Sequence, residues 1–499
     1  MKDCKNHLMK QTPLLSSVAA SAIALQLCLP LATAAVTRYV NVGSANPAPP
    51  FMHWSTAATT IQDAVDVAEA GDEVVVTNGI YTIGARNVGT NLLLNRVVVD
   101  KPITLRSVNG PGLTVIQGYQ VPGEQTGDYA IRCVYLGAGA ALAGFTLTNG
   151  ATRHHNSASN PDLNGGGVWC ASGSSAISNC VITGNVAWRN GGGSYGGTLH
   201  NCTLVGNVSV WGSGGGASSG SLFDCQIRKN RSSYYGGGAD LATLARCILT
   251  QNQTGFGGRG ACRSTLSNCN LTNNITTPES RGDGGGVLWG TLNNCVLVGN
   301  QAEVFGGGAC YSDLTNCLVM NNSASLSGDG DGCGGGAFGG ILDHCTLIGN
   351  SAILGGGSCA TLFNCLLTGN SADFGGGDSG GHLKNCTLVG NSATLRGGGS
   401  DWGQLYNCIV YYNSAPTNQN YNLGIQGTEF CVISNCCTTQ LTAYGMRNFT
   451  NAPLFVDLAG GNLRLQSNSP CINSGRNDYD SGFVDLDGNP RMVGGTVDV

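Results

Sequence analysis

The chain has 499 residues, 79 of them glycine, with 11% charged residues and a formal net charge of −5. Ordinary globular chains carry about 7% glycine and about 25% charged residues, so this surface must be built largely from Ser, Thr, Asn and Gly. No basic run or patch appears, which argues against a nucleic-acid partner.

Residues 1–34 read as a secretory signal: Lys2, Lys5 and Lys10, an apolar stretch from Leu14 to Leu31, then the small-x-small site Ala32-Thr33-Ala34. A lipoprotein signal at Leu25-Gln26-Leu27-Cys28 competes less well, because Leu27 sits where a small residue is expected. No other stretch is long and apolar enough for a transmembrane segment. The expected location is secreted or cell surface. Residues 35–175 read as an amino-terminal cap followed by irregular coils. Thr59 to Ala68 has the pattern of a short amphipathic helix, and such a helix would cover the open end of a stacked core. Val74-Val75-Val76 and Gly79-Ile80-Tyr81 start strands, and Ile103-Thr104-Leu105-Arg106 and Gly144-Phe145-Thr146-Leu147 continue them.

Residues 176–415 hold eleven copies of one phrase, T-L-x-N-C-x-L-x-G-N-x-A followed by a Gly corner, with cysteines from Cys180 to Cys408. A fixed period of about 22 residues signals stacked coils. In Cys386-Thr387-Leu388-Val389 the alternation is in, out, in, out, as a half-buried strand requires. Leu204, Leu249, Leu297 and Leu388 belong to an inward aliphatic column, and Leu199, Leu244, Leu292 and Leu405 to another. Three short strands and three corners per coil make an all-β, right-handed parallel β-helix solenoid with a short N-terminal capping helix.

An asparagine stands five residues after every ladder cysteine, from Asn185 to Asn413. Its amide can donate to and accept from stacked neighbours, and Asn tolerates a left-handed corner. Gly triplets such as 236–238 and 306–308 allow close stacking at the next corner. Tyr235, Phe256, Phe305 and Phe374 precede Gly runs. They suit a sugar-stacking ridge, but Asn190, Leu354 and Arg396 share the column, which favours mixed corner packing. The outward strand positions carry one charge, Arg228, among 22 residues. β-propensity explains much of that, and a flat, weakly polar face also suits a protein or polymer contact.

Cysteines stacked in register would place their Cβ atoms about 4.8 Å apart, beyond the usual disulfide range of roughly 3.5–4.5 Å. The ladder cysteines are therefore expected as free, buried apolar residues. Cys431, Cys436, Cys437 and Cys471 lie outside the ladder and are the expected disulfide candidates.

Tyr39-Val40-Asn41, Ile61-Gln62-Asp63-Ala64, Gly71-Asp72 and Gly79-Ile80-Tyr81 resemble the amino-terminal coils of right-handed β-helix proteins of the pectin-lyase-like superfamily. Residues 416–499 resemble the carboxy-terminal module of bacterial surface and secreted β-helix proteins. Pro453-Leu454-Phe455-Val456-Asp457, Ser469-Pro470-Cys471-Ile472 and Asp485-Leu486-Asp487-Gly488-Asn489 carry that likeness. The family's usual ending after a Val-Asp pair is missing beyond Val497-Asp498, so a truncated end is expected. The Leu-x-Gly-Asn and Gly-Gly-Gly-Ala alternation is similar to repeats of polymorphic outer-membrane adhesins, without their terminal barrel. The resemblance implies a fold that hosts lyases, hydrolases, esterases and adhesins, and it does not choose among them.

Chemistry is best sought where the period breaks. Cysteine spacing is 20–23 residues except for 26 at Cys269–Cys295 and 28 at Cys317–Cys345. Both insertions fall at one corner, and per-repeat insertions on one face often mark a binding face. The candidate ligand-binding residues are Glu279, Asp283 and Glu303, and Asp329 and Asp331 are the candidate metal ligands. Neighbouring carboxylates suit Ca²⁺, although Gly-Asp loops are also plain polar turns. In a lyase reading Ca²⁺ would neutralise a uronate and Arg281 would be the catalytic base. Asp485 and Asp487 form a second Ca²⁺ candidate, and His154-His155 a further metal candidate. The leading expectation is an adhesin-like protein that binds a polysaccharide or a surface protein. The alternatives are a lyase or hydrolase of acidic polysaccharide, and a structural envelope protein.

Overall fold

Two or three residues of alternating pattern cannot stand alone as a strand, and here they gain partners by stacking. The computed structural model describes residues 35–154, 161–275, 282–325, 332–422, 431–441, 445–479, 482 and 484–499. Val36–Val499 form one unit. Around Cys225 the strands Ala217–Ser218, Ser221–Phe223, Gln226–Arg228 and Arg231–Ser232 follow one another. Each pairs in parallel with its equivalent one coil on, as in Leu222↔Leu244, Ile227↔Leu249 and Arg231↔Gln253. This coil thus has four short strands, because the chain straightens again after the ladder asparagine, whereas the coil of Cys365 has the expected three, Ser358–Phe363, Leu366–Thr368 and Ser371–Phe374. Among the described residues, one fifteen-stranded sheet runs from Gly79–Tyr81 to Cys437–Thr438. The architecture is an all-β parallel β-helix.

The corners are set by left-handed residues at fixed places. Asp224 (φ 55°), directly before the cysteine, and Lys229 (φ 55°), four after it, repeat in every coil; Asn201, Asn294, Gly206 and Asn273 are equivalents. The ladder asparagines themselves are not left-handed, contrary to the expectation, and their side chains turn inward instead. Asn230 donates from N and Nδ2 to Oδ1 of Asn252 at 3.0 and 3.1 Å, and from Nδ2 to Leu204 O at 3.0 Å. The ladder is fully buried at Asn185, Asn207, Asn300 and Asn391, so each coil satisfies polar groups that water cannot reach. At the Gly corner a Cβ on Gly237 would lie 2.3 Å from Gln253 O, and one on Gly238 2.4 Å from Gly260 O. Neighbouring backbones therefore leave no room for a side chain at Gly237 or Gly238.

The ladder cysteines are buried and free, as expected. The expected disulfides among Cys431, Cys436, Cys437 and Cys471 do not form, and all four are free and buried. Cys436 continues the ladder instead: its Sγ reaches Leu405 O at 3.4 Å, as Cys408 reaches Leu383 O at 3.6 Å. The disulfide joins Cys333 and Cys359, whose Cα atoms are 6.5 Å apart. One precedes a Gly corner and the other points outward just after the next, an offset that in-register ladder cysteines lack.

At the amino-terminal end the helix Ile61–Val67 is capped by Thr60, whose hydroxyl accepts from Asp63 N at 3.2 Å. Gln62 locks it to the strand Leu94–Val99 by exchanging hydrogen bonds with Val98 N and O at 2.7 and 3.2 Å. The carboxy-terminal residues fold back onto the last coils, where Val389, Ile409 and Tyr411 pack with Phe455, Cys471 and Val499. Part of the outward face is thus an internal interface. Among the described residues, no helix is long and apolar enough to cross a membrane.

Candidate functional site

Counting back from the Gly corner puts Tyr235, Phe256, Phe305 and Phe374 in one column, but strand register separates them. Tyr235 aligns with Gly257 and Asp283, and Phe305 with Cys333, Leu354 and Phe374. These side chains fold over the neighbouring strand, as Phe305 does on Phe338 with ring centroids 4.3 Å apart. Mixed corner packing holds for this column.

Phe256 belongs one position earlier, with Trp211 and Tyr234, each two residues after an aligned fourth-strand residue (Ser209, Ser232, Thr254); Trp188 stands one residue after the aligned Ala187. Here the side chains face solvent: Trp211 is 56% exposed, Tyr234 37% and Phe256 53%. Short inward hydroxyl residues, Ser209, Ser232 and Thr254, precede Trp211, Tyr234 and Phe256, and Ala187 takes that place before Trp188. Ser232 Oγ, for example, lies 2.9 Å from Tyr235 O and 3.2 Å from Thr254 Oγ1. Holding the corner from within leaves the next side chain on the outside. The result is one aromatic ring per coil on four successive coils, spanning roughly 14 Å at the usual strand spacing. Ring centroids lie 6.2 Å apart for Trp188–Trp211 and 5.5 Å for Tyr234–Phe256, and His154 extends the row 5.7 Å from Trp188. His155 lies outside the described residues.

The charge around the row is lopsided. Residues 153–263 carry eight Arg and Lys against three Asp, a net of +5, whereas residues 264–499 carry seven against seventeen, a net of −10. Across the coils of Tyr234 and Phe256 and the one that follows, Lys229, Gln251, Gln253 and Ile275 line a hollow of about 450 Å³. An ammonium beside two amides is a receptor for a carboxylate or a hydroxyl.

The row ends at the first insertion. Arg281, Glu279, Asp329 and Asp331 lie outside the described residues. Asp283 and Glu303 are described, and the structure brings both into the field of a residue that sequence reading passed over, Arg259. Arg259 occupies the middle position of a Gly corner. Among the described residues, the sheet of fourth strands stops at Gln253–Thr254 and pairing resumes at Gln301–Ala302. The guanidinium fills that gap, donating to Gln301 O at 2.9 Å and Gly282 O at 3.5 Å, and it is fully buried. Burial lowers its pKa to about 10, opposed by Glu303 and Asp283, so it remains a cation at neutral pH. Burial likewise raises the Asp283 carboxyl, opposed by the Phe305 backbone N–H and Arg259. Arg259 breaks an otherwise unbroken Gly pattern, a signal visible in the sequence.

Among the described residues, Asp485 and Asp487 gather no metal ligand set. Asp487 is forked by Arg464 at 2.7 Å through both oxygens, and Asp485 Oδ1 accepts from the N–H groups of Asp487 and Asn489. Among the described residues, no three metal-ligating side chains converge.

No family model matches the chain, and no curated protein sequence matches it. Solved structures similar to it include the Dettilon tailspike protein, 13% identical over 68% of this chain and 66% of that one, TM-score 0.35. A rhamnogalacturonan lyase is 15% identical over 85% and 91% of the two chains, TM-score 0.30. The pectate lyase Pel9A is 12% identical over 92% and 98%, TM-score 0.23. The chain spans just under two thirds of the tailspike's length. At such identities the likeness concerns the fold alone, the parallel β-helix that the coil register already establishes.

Proposed function

We propose that this protein is an exported or surface-associated β-helix that binds an acidic polysaccharide along the wall from Trp188 to Phe256. The observation that carries the reading is the row of rings, one per coil, with Trp211, Tyr234 and Phe256 solvent-exposed and Trp188 half-buried. Aromatic faces and edges bury the C–H surface of sugar rings, and exposed aromatics are costly unless something covers them. The basic setting and the Lys229 hollow favour a chain bearing carboxylates. A second reading, cleavage at the insertion corner, draws on Asp283 and Glu303 beside Arg259 and on Arg281 as the base.

The test is retention of the mature protein in native gels cast with acidic and neutral polysaccharides, with new reducing ends and unsaturated uronates followed in parallel. Trp211→Ala and Phe256→Ala should each weaken retention at least about tenfold, the loss expected for a central aromatic anchor. Trp402→Ala, which removes a ring 41% exposed elsewhere on the molecule, should change nothing. Unchanged retention in both ring variants would rule out the wall. Product formation would transfer the function to the insertion corner.

A further inference from the structure

The carboxy-terminal residues touch the coils along two lines and leave a cleft between them. One line is the apolar cluster of Val389, Ile409 and Tyr411 with Phe455, Cys471 and Val499. The other runs along the corner before the cysteines, where Val484 O meets His344 Nε2 at 3.1 Å, Arg491 donates to Asn385 O at 3.2 Å, and Arg476 N donates to Asn407 Oδ1 at 2.8 Å. Between the lines lies a cleft of about 820 Å³, within the usual size of small-ligand sites, about 300–1,000 Å³.

Its floor is the outward column Leu318, Thr346, Leu366, Thr387 and Ile409, one residue per coil in parallel register. Aliphatic and hydroxyl side chains therefore alternate along the cleft. The same column outside the cleft is open, with Ile248 43% exposed. The roof carries Arg464, Asp485, Asp487, Asn489 and Arg491. One ion pair is matched within the roof: Arg464 and Asp487 form a two-bonded fork, whereas Asp485 is served by neutral donors, Asn489 Nδ2 and two backbone N–H groups, and Asp498 adds a further carboxylate to the lining. A matched pair attracts no net charge, yet the carboxylates still have lone pairs to offer.

We propose that this cleft binds a short uncharged oligosaccharide, at a site separate from the aromatic row. A neutral sugar has an apolar C–H face for Leu318 and Leu366. Its hydroxyls both donate and accept, as Thr346, Thr387, Asn489 and the roof carboxylates require. An anionic chain would have to face Asp485 and Asp487.

Calorimetric titration of the full mature chain with cellotetraose, maltotetraose, laminaritetraose, mannotetraose and chitotetraose tests this. The expected result is one-to-one binding of at least one probe, weakened at least tenfold in Thr387→Trp, which fills the floor, and in Asp487→Ala, which opens the roof fork. Trp211→Ala should leave that binding unchanged, so failure of the aromatic-row proposal would be distinguishable. No binding by any probe at millimolar concentration, tighter binding of a triuronate at the same residues, or full binding in Asp487→Ala would each overturn the proposal.

Discussion

Asn300→Ala is expected to destabilise the central coils by about 2–6 kcal/mol. The substitution removes one oxygen that two donors share: Asn274 N at 3.1 Å and Asn274 Nδ2 at 2.9 Å. It also removes Nδ2, which donates to Leu271 O at 2.8 Å and Asn322 Oδ1 at 3.0 Å. Leaving a buried donor without a partner costs about 1–3 kcal/mol, and two are left here. A repeat stack distributes stability between neighbouring coils. The loss should therefore appear locally, as faster hydrogen exchange in the coils of Cys269, Cys295 and Cys317 and as an earlier urea transition. Thr291→Ala, on the exposed face of the same coil, should stay within about 0.5 kcal/mol of the parent. If the two variants behave alike, the asparagine ladder is not what closes the coil.

The second large effect concerns pH. Asp378 sits in an inward column where other coils place Ala239, Ala261, Ala309 and Ala337, with Ser358 on one side and Ser400 on the other. Ser358 Oγ donates to it at 2.8 Å and Gly381 N at 3.1 Å. Burial outweighs these bonds and pushes the carboxyl up to about 7 from the ordinary 3.8. Below about pH 4 the group is neutral in both folded and unfolded chains, and its contribution to stability is fully present. Between about pH 4 and 7 only the unfolded chain ionises, so stability falls with rising pH, by about 4 kcal/mol in total. Above pH 7 both states are ionised and the dependence ends. Asp378→Asn keeps the shape, and the flanking hydroxyls can reverse their donor roles to suit the amide. Urea unfolding of the parent and this variant at pH 4.5 and 8 should show the gap opening at pH 8. Parallel pH profiles would contradict the assignment.

The repeat made most of the fold legible, because one phrase written eleven times averages out local ambiguity. The inward Leu columns, the free cysteines and the Asn ladder could all be read from spacing. Three features could not. The fourth strand is only two residues long, as in Arg231–Ser232, and carries no alternation to detect. The split between Tyr235 and Phe256 depends on register across a corner, where one extra residue moves a side chain from packed to exposed. The disulfide escaped for a related reason: Cys333 and Cys359 meet through an offset on the outer wall, which a column-by-column reading does not contain. At the candidate site, the two insertions and the odd Arg259 were both visible. The role of Arg259 as a substitute for missing strand backbone depends on the path of the neighbouring coil.

The central claim is that the row Trp188, Trp211, Tyr234 and Phe256 is the glycan-contacting surface. Hydroxyl-radical footprinting with and without the best-retained polysaccharide tests it most directly, because it reads each ring separately. The account predicts protection of Trp211, Tyr234 and Phe256, with Trp402 and Tyr311 labelled equally in both states. Protection of Trp402 or Tyr311 with the row still fully labelled would contradict it.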